Sequence, residues 1–175
     1  ENFCGTYVFT EKDMTSGGVV AAVLNSSHLQ IDAYTNSKWQ EIGKAITVTK
    51  ADGNTIYSIN KKKPLHILKQ YLGETFTKQL PNSGVEFPFL MEIDGEKSSV
   101  FISKVLKTGE IEVTRKIPEG TQLTFAYADT RLIIEDSLLN MKRLSKKPIE
   151  SIFVYNCMAR KRFMNDFTKE ELKMI

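Results

Sequence analysis

The stretch S-I-F-V-Y-N-C-M-A-R-K-R-F occupies residues 151–163. Its apolar run, Ile152–Tyr155, is β-branched and aromatic, which is typical of a strand covered on both faces. Polarity changes at Asn156 and Cys157, and a cationic cluster follows from Arg160 onward. Many α/β proteins present a site where a buried strand ends in polar residues. The stretch predicts a central buried strand with a concave site at its exit, and it leaves open a core strand that runs into a solvated helix.

The first third of the chain shows strand patterns and no long amphipathic helix. Thr6–Thr10 predicts a short strand, and the continuous apolar run Val19–Leu24 predicts a central strand. His28–Thr35 alternates between apolar and polar residues, as a half-buried strand does. The short turn between the last two segments predicts an antiparallel hairpin.

A second hairpin is predicted from a strong turn signal. Ala45–Lys50 and Thr55–Ile59 alternate on either side of Asp52-Gly53-Asn54. Trp39–Gly43, which precedes them, is interpreted as a connector.

The helix pattern that starts at Pro64 separates the two parts of the chain. Pro64 suits a first helical turn, Leu65, Leu68 and Leu72 share one face, and Gly73 suits the stop. We expect an α+β protein, mainly antiparallel, whose parts are residues 1–60 and 61–175.

The second part is predicted to contain a meander of strands followed by helices. After an irregular stretch, the predicted strands are Phe87–Ile93, Val100–Val105, Ile111–Arg115 and Gln122–Tyr127. Thr130 is expected to cap the next helix. The predicted inner face of that helix is Ile133, Ile134, Ser137, Leu138 and Met141. Thr168–Glu171 resembles a capping box that opens a last helix.

Composition excludes several function classes. The chain has 175 residues and a net charge of +3, too weak to indicate nucleic-acid binding by itself. No apolar run reaches the roughly 18 residues of a membrane span. Cys4 and Cys157 give neither a metal spacing nor a disulfide framework, so a reducing cytoplasm is expected. Glu1 is not a start methionine, so the sequence is expected to be a piece of a longer protein.

No catalytic or metal-binding constellation is visible. His28 and His66 lie in different parts, without cysteines or carboxylates at metal-ligand spacing. The chain has no Gly-rich phosphate loop and no nucleophile elbow. We therefore expect no enzymatic activity and no cofactor. A haem held by His66, His28 or Cys157 is the alternative.

Four residues remain as candidates for ligand binding. Trp39 could wall a pocket or anchor its loop. Asn156 and Cys157 end the predicted strand, where Cys157 could contact a ligand or fill space. Arg160 could pair with a ligand carboxylate through its planar fork, or could lie on the surface.

Several segments, in order, resemble the FIST family of ligand-sensing signal-transduction modules. The family's segment that contains a strand, a Cys and an Arg is similar to the stretch P-I-E-S-I-F-V-Y-N-C-M-A-R-K-R-F-M of this chain. K-W-Q-E-I-G, F-P-F-L and I-P-E-G-T-Q-L-T-F-A-Y also stand in family order. Trp39, Ile42 and Gly43 match the pattern W-x-x-I-G, and Cys157 and Arg160 match C-x-x-R. The resemblance covers the chain from about Gly17.

The resemblance implies a bacterial, cytoplasmic sensor that binds a small molecule such as an amino acid. Its signal would pass to a linked or partner output domain, such as a histidine kinase or a diguanylate cyclase, in two-component or cyclic-di-GMP signalling. Some family members sense nitric oxide through haem. A protein-interaction or dimerisation module without a ligand is the alternative, and a homodimer is left open. Ile102-Ser103-Lys104 lacks an arginine that is usual in the family, which leaves open a different type of ligand if that arginine contacts it. The front of the N-terminal half and the closing segment are absent, so the fragment is expected either to lack part of the pocket or to expose surface that the missing parts would cover.

Overall fold

A computed structural model of the chain describes residues 5–35, 38–157, 160–161 and 164–173, the last range without the side chains of residues 171 and 172. The chain divides into two compact units, Glu1–Tyr34 and Thr35–Ile175. The division into residues 1–60 and 61–175 stays a prediction.

The first unit contains one small antiparallel ribbon. Strands β1 (Val8–Phe9) and β2 (Met14–Thr15) pair with each other. The Thr10 hydroxyl accepts hydrogen bonds from the backbone N–H groups of Lys12 and Asp13, and so holds the turn between the strands. The strand predicted at residues 6–10 is therefore confirmed over two residues.

The hairpin predicted from Val19–Leu24 and His28–Thr35 is wrong. Both segments are irregular and exposed, and Val19 and Val23 are 92% and 87% exposed. A continuous apolar run forms a central strand only where strands flank it and other elements cover its faces. Among the described residues, neither segment belongs to a sheet.

The second unit is built around a seven-stranded antiparallel sheet with the order β6-β5-β9-β3-β4-β8-β7. Its strands are β3 (Trp39–Asp52), β4 (Thr55–Ile59), β5 (Phe89–Ile93), β6 (Glu96–Val100), β7 (Ile102–Val105), β8 (Ile111–Val113) and β9 (Gln122–Ala128). The α+β, mainly antiparallel fold class is confirmed. The turn predicted at Gly53 joins β3 to β4, and Gly53 has a φ of 56° that suits glycine.

The sheet curls because its two edge strands are consecutive in the chain. Only Phe101 separates β6, on one edge, from β7, on the other. Its N–H donates to Thr114 Oγ1 at 3.1 Å, and its carbonyl accepts from the Thr114 N–H at 3.0 Å. The single strand predicted over Val100–Val105 is therefore split at Phe101, and each half pairs with a different neighbour.

Apolar side chains from both halves of the sheet fill the concave side. The fully buried ones include Ile46, Val48, Ile56, Ile59, Phe89, Val100, Ile111, Val113, Leu123 and Phe125. Phe125 is the centre of an aromatic cluster, with Phe89 at 4.9 Å and Tyr71 at 5.0 Å between ring centroids. This packing holds strands β5 and β9 together on the inner side.

Helix α1 (Pro64–Leu72) packs onto this core, and of the predicted leucine face only Leu68 is fully buried, whereas Leu65 and Leu72 are half-buried. Ile67 and Leu68 are buried, and Gly73 follows the last turn with a φ of 84°. The predicted irregular stretch after it instead holds α2 (Glu74–Lys78) and a 3₁₀ helix at Asn82–Val85. Such short helices escape sequence prediction because their hydrophobic period spans hardly more than a turn.

Helix α3 (Thr130–Leu144) begins one residue earlier than predicted. Asp129, and not Thr130, is the cap, because its carboxylate accepts from the N–H groups of Arg131 and Leu132. The buried residues are Ile133, Ser137 and Asn140, whereas the predicted inner residue Leu138 is 38% exposed. Helix α4 (Phe167–Leu172) packs against α3 and confirms the predicted last helix. The predicted capping box is wrong, because Thr168 lies inside the helix and its buried hydroxyl makes no hydrogen bond with the described residues. Among the described residues, no helix has the length and apolar character needed to cross a membrane.

Candidate functional site

The W-x-x-I-G residues lie on β3, at the point where this strand pairs with β9. Trp39 is opposite Ala128, and Ile42 is opposite Phe125. The register then shifts between Ile42 and Ile46, and Gly43 in the bulge has a φ of 74°. The connector predicted for Trp39–Gly43 is therefore wrong, because a polar, bulged sequence hides the start of a strand.

Trp39 is half-buried, and its ring packs edge-to-face against Phe101 with 5.9 Å between centroids. Phe101 is the residue that connects the two edge strands of the curled sheet, so Trp39 lies beside that connection. Lys38, the preceding residue, forms an ion pair with Asp136 of α3 at 3.4 Å. The start of β3 thus carries an aromatic ring that contacts Phe101 and a lysine paired with α3, and a ligand contact for Trp39 stays a prediction.

Tyr71 of α1 adds an aromatic surface beside the bulge that sequence reasoning did not select. Its ring stacks on Phe125, and a Cβ at Gly43 would lie 3.5 Å from its Cε1 atom. Tyr71 and Ile42 are 44% and 37% exposed. The signal that could have found this surface is the position of Tyr71 beside the leucine stripe of α1, combined with the glycine of the W-x-x-I-G pattern.

The segment that contains Asn156 and Cys157 does not form the predicted strand. Residues 151–157 are irregular, and Phe153 and Tyr155 are 76% and 93% exposed. The prediction of a buried central strand at Ile152–Tyr155 is wrong for this chain, because the described strands place none beside the segment. Its composition favours a strand, but a strand forms only with a hydrogen-bonding neighbour.

Arg160 lies where the chain turns helical after this segment. The Cys157 carbonyl accepts from the Lys161 N–H at 2.9 Å, which closes one helical turn. Asn156 and Cys157 are exposed, whereas Arg160 is half-buried with its Nε atom inaccessible to solvent. The structure therefore places Asn156, Cys157 and Arg160 around one turn of chain, whereas Trp39 lies on the sheet. Their ligand contacts stay a prediction.

Glu110 has a carboxyl group whose pKa is held well below its ordinary value. It is 7% exposed, and it accepts hydrogen bonds from the Lys63 ammonium and from the Thr108 hydroxyl. These bonds lower its pKa from 4.5 to about 2. Gly109 also accepts from the Leu65 N–H at 3.1 Å. The cluster joins the β7–β8 loop to the start of α1, so its role is structural.

Acid titration tests this role of Glu110. Because its pKa is depressed in the folded state, its contribution to stability is fully present above about pH 4.5 and is lost as pH falls toward about 2. Lys63→Met should remove this contribution, so the difference in unfolding free energy from wild type should shrink as the solution is acidified. Lys62→Met, at an exposed neighbour, is the control. Parallel curves for wild type and Lys63→Met across this range would contradict the assignment.

The described residues hold no cluster of three or more His, Cys, Asp or Glu side chains able to bind a metal ion. His28 is exposed in the first unit, and His66 is exposed on the outer side of α1. Cys157 is a free, exposed thiol. None of these three side chains is enclosed by apolar surface, the environment in which haem is usually bound.

Comparison with protein families identifies both parts of the chain. The model described as FIST N domain matches residues 1–62, and the model described as FIST C domain matches residues 64–175. The chain belongs to the FIST family. FIST domains are sensor modules of signal transduction, so the resemblance inferred from the sequence is confirmed. The comparisons with curated proteins and with solved structures returned no match.

The two FIST matches meet inside the second compact unit. The boundary lies between β4 and α1, so β3 and β4 fall in the FIST N match and β5 to β9 fall in the FIST C match. Both groups of strands belong to one sheet, with β3 between β9 and β4. Trp39 and Ile42 of the W-x-x-I-G pattern thus pair with β9, a strand of the other match.

Proposed function

We propose that this FIST chain is a cytoplasmic, non-enzymatic input module that binds a small molecule carrying a carboxylate, such as an amino acid, and passes the signal to an output domain. The observation that carries the proposal is the family match over both parts of the chain. FIST modules are sensors, and they are not catalytic.

Arg160 is the residue proposed to bind the ligand carboxylate. Its guanidinium is planar and always charged, and it can donate two parallel hydrogen bonds to a carboxylate. Partial burial lowers the local dielectric constant, and so strengthens such a pair relative to one in open water. Asn156 and Cys157 lie shortly before Arg160 in the chain, and they are proposed to contact the rest of the ligand. Trp39 is proposed as an aromatic contact.

The same position offers a route for the signal. Met164, four residues after Arg160, is fully buried, and α4, which follows, packs against α3. A buried side chain cannot move without a rearrangement of its neighbours, because protein interiors are close-packed. We propose that ligand binding at Arg160 shifts the packing of this C-terminal helical region on α3, and that the output domain responds to that shift.

Arg160→Ala is expected to weaken ligand binding by about 10- to 100-fold, since hydrogen bonds to a charged group are lost. The measurement is a thermal-shift screen of the 20 common amino acids and of small carboxylic acids, followed by calorimetric titration of any hit. Lys161→Ala, which removes a neighbouring exposed cation, should bind as wild type does. Arg160→Lys keeps the charge but loses the planar fork, and it should recover only part of the affinity.

Equal affinity of wild type and Arg160→Ala for a confirmed hit would remove Arg160 from the site. If no amino acid and no small carboxylic acid raises the melting temperature, the ligand-sensing proposal fails. The exposed apolar residues 151–157 favour protein interaction as the second candidate function in that case.

We propose that the module works without haem. Added haem is expected to give no Soret band shift that depends on His66, because His66 is exposed on α1. Absorbance titration of wild type, His66→Ala and His28→Ala with haem provides the measurement. A Soret band that is present in wild type and lost in His66→Ala would establish haem binding.

A further inference from the structure

The 151–157 segment exposes four consecutive large apolar side chains. Ile152 and Val154 are 45% and 51% exposed, and Phe153 and Tyr155 are 76% and 93% exposed. Successive side chains of an extended chain point to opposite sides, so this run is apolar on both sides when extended. An exposed contiguous apolar surface of this kind marks an interaction site.

The backbone of this segment is also free to pair. Within the described part of the chain, the N–H and C=O groups of residues 152–156 form no hydrogen bond. β-branched and aromatic residues favour a strand, and a strand with free polar groups is a template for a further strand. A lipid surface would cover the side chains but would leave these backbone groups without partners in its apolar interior. A polypeptide strand satisfies both the backbone and the side chains.

Charge at both ends of the segment restricts the partner. Residues 142–161 contain six Lys and Arg residues and a single carboxylate, that of Glu150. Antiparallel pairing of the segment with a second copy, with Phe153 opposite Val154, would bring Lys147 opposite Arg160 of the other copy. Like charges directly opposite each other destabilise a strand pair. The charges therefore oppose self-pairing and favour a strand with acidic ends.

We infer that the 151–157 segment is a docking strand for another protein, whose extended apolar segment carries acidic residues on both flanks. Backbone hydrogen bonds would supply affinity that depends little on sequence, and the cationic ends would select the partner. This inference rests on exposure, free backbone groups and charge. It does not depend on ligand binding at Arg160.

The probe is an immobilised array of nine-residue peptides. Five central positions are drawn from Val, Ile, Thr, Tyr and Phe, and the flanks are Glu-Glu, Ser-Ser or Lys-Lys. The 175-residue chain should bind Glu-flanked peptides about tenfold more tightly than Lys-flanked ones, because several exposed ion pairs contribute together. A central proline in the peptide should abolish binding, since it removes a backbone donor.

Two variants locate the binding on the chain. Val154→Pro should lose binding, whereas Val23→Pro, in the exposed apolar run of the first unit, should keep it. The double variant Lys146→Glu with Lys161→Glu should largely remove the preference for Glu-flanked peptides, because the net charge of residues 142–161 falls from +5 to +1. Both positions are exposed, so melting temperatures should match that of wild type.

Four outcomes would overturn the inference. They are the absence of peptide binding, equal binding of all three flank types, retained binding by Val154→Pro, and a concentration-dependent dimer that Val154→Pro dissolves. Binding to phosphatidylserine vesicles that survives in Val154→Pro, without peptide binding, would identify a lipid surface instead.

Discussion

Phe125→Ala is expected to lower the free energy of unfolding by about 3–5 kcal/mol. The ring is 1% exposed, and it contacts both Phe89 and Tyr71. Its removal deletes buried apolar surface, leaves a cavity beside the rings of Phe89 and Tyr71, and breaks two aromatic contacts. This loss is a large fraction of the stability of an ordinary domain. Equilibrium unfolding in guanidinium chloride, followed by far-UV circular dichroism, measures it.

Phe153→Ala is the matched control for this prediction. It makes the same chemical change at a side chain that is 76% exposed, so the free energy of unfolding should change by less than about 0.5 kcal/mol. The sequence pattern had placed Phe153 in the core, where its loss would cost as much as that of Phe125. Equal destabilisation by the two substitutions would show that residues 151–157 are buried in solution.

Leu68→Ala is expected to cost about 2–5 kcal/mol. Leu68 is fully buried where α1 meets the concave side of the sheet, and alanine would leave a void under the helix. Alanine has the highest helix propensity, so the loss comes from packing and not from the helix backbone. Urea unfolding and amide hydrogen exchange of α1 both report this effect.

His66→Ala tests the same helix from its exposed side. It should change the free energy of unfolding by less than about 0.5 kcal/mol, because His66 lies outside the core. If Leu68→Ala proved as mild as His66→Ala, α1 would not contribute to the core.

Much of the sheet could be predicted from the sequence, because its signals are local. The turn at Gly53, the leucine stripe of α1 and the regular strands after Phe87 depend on neighbours that are close in the chain. The passage of the chain from one edge of the sheet to the other at Phe101 could not be predicted in this way. It depends on which strands pair with β6 and with β7, and the residues of the segment itself do not specify these partners.

The failures share one physical cause. Val19–Leu24 and Ile152–Tyr155 have the composition of central strands, yet composition reports only what a segment would bury if partners were present. The error at Trp39–Gly43 is the opposite one, since a strand is predicted as a connector. Gly43 lies in a bulge, which interrupts the alternation that would indicate a strand. The family resemblance succeeded because an ordered set of motifs does not depend on pairing.

The candidate site was predictable only as a set of residue types. Asn156, Cys157 and Arg160 are neighbours in the chain, so their proximity was assured. The partial burial of Arg160 and the stacking of Tyr71 on Phe125 depend on tertiary packing, which sequence periodicity does not report.

The placement of β3 and β4 has a consequence for how FIST proteins are divided in the laboratory. A gene fragment cloned from Pro64 onward would follow the FIST C match, yet it would encode a sheet without two adjacent inner strands. The edges of β9 and β8 that face the gap would then lack hydrogen-bonding partners, and unpaired strand edges promote aggregation. A fragment that begins at Thr35 would keep all seven strands of the sheet. Fragment boundaries are therefore better chosen from strand pairing than from the limits of the family match.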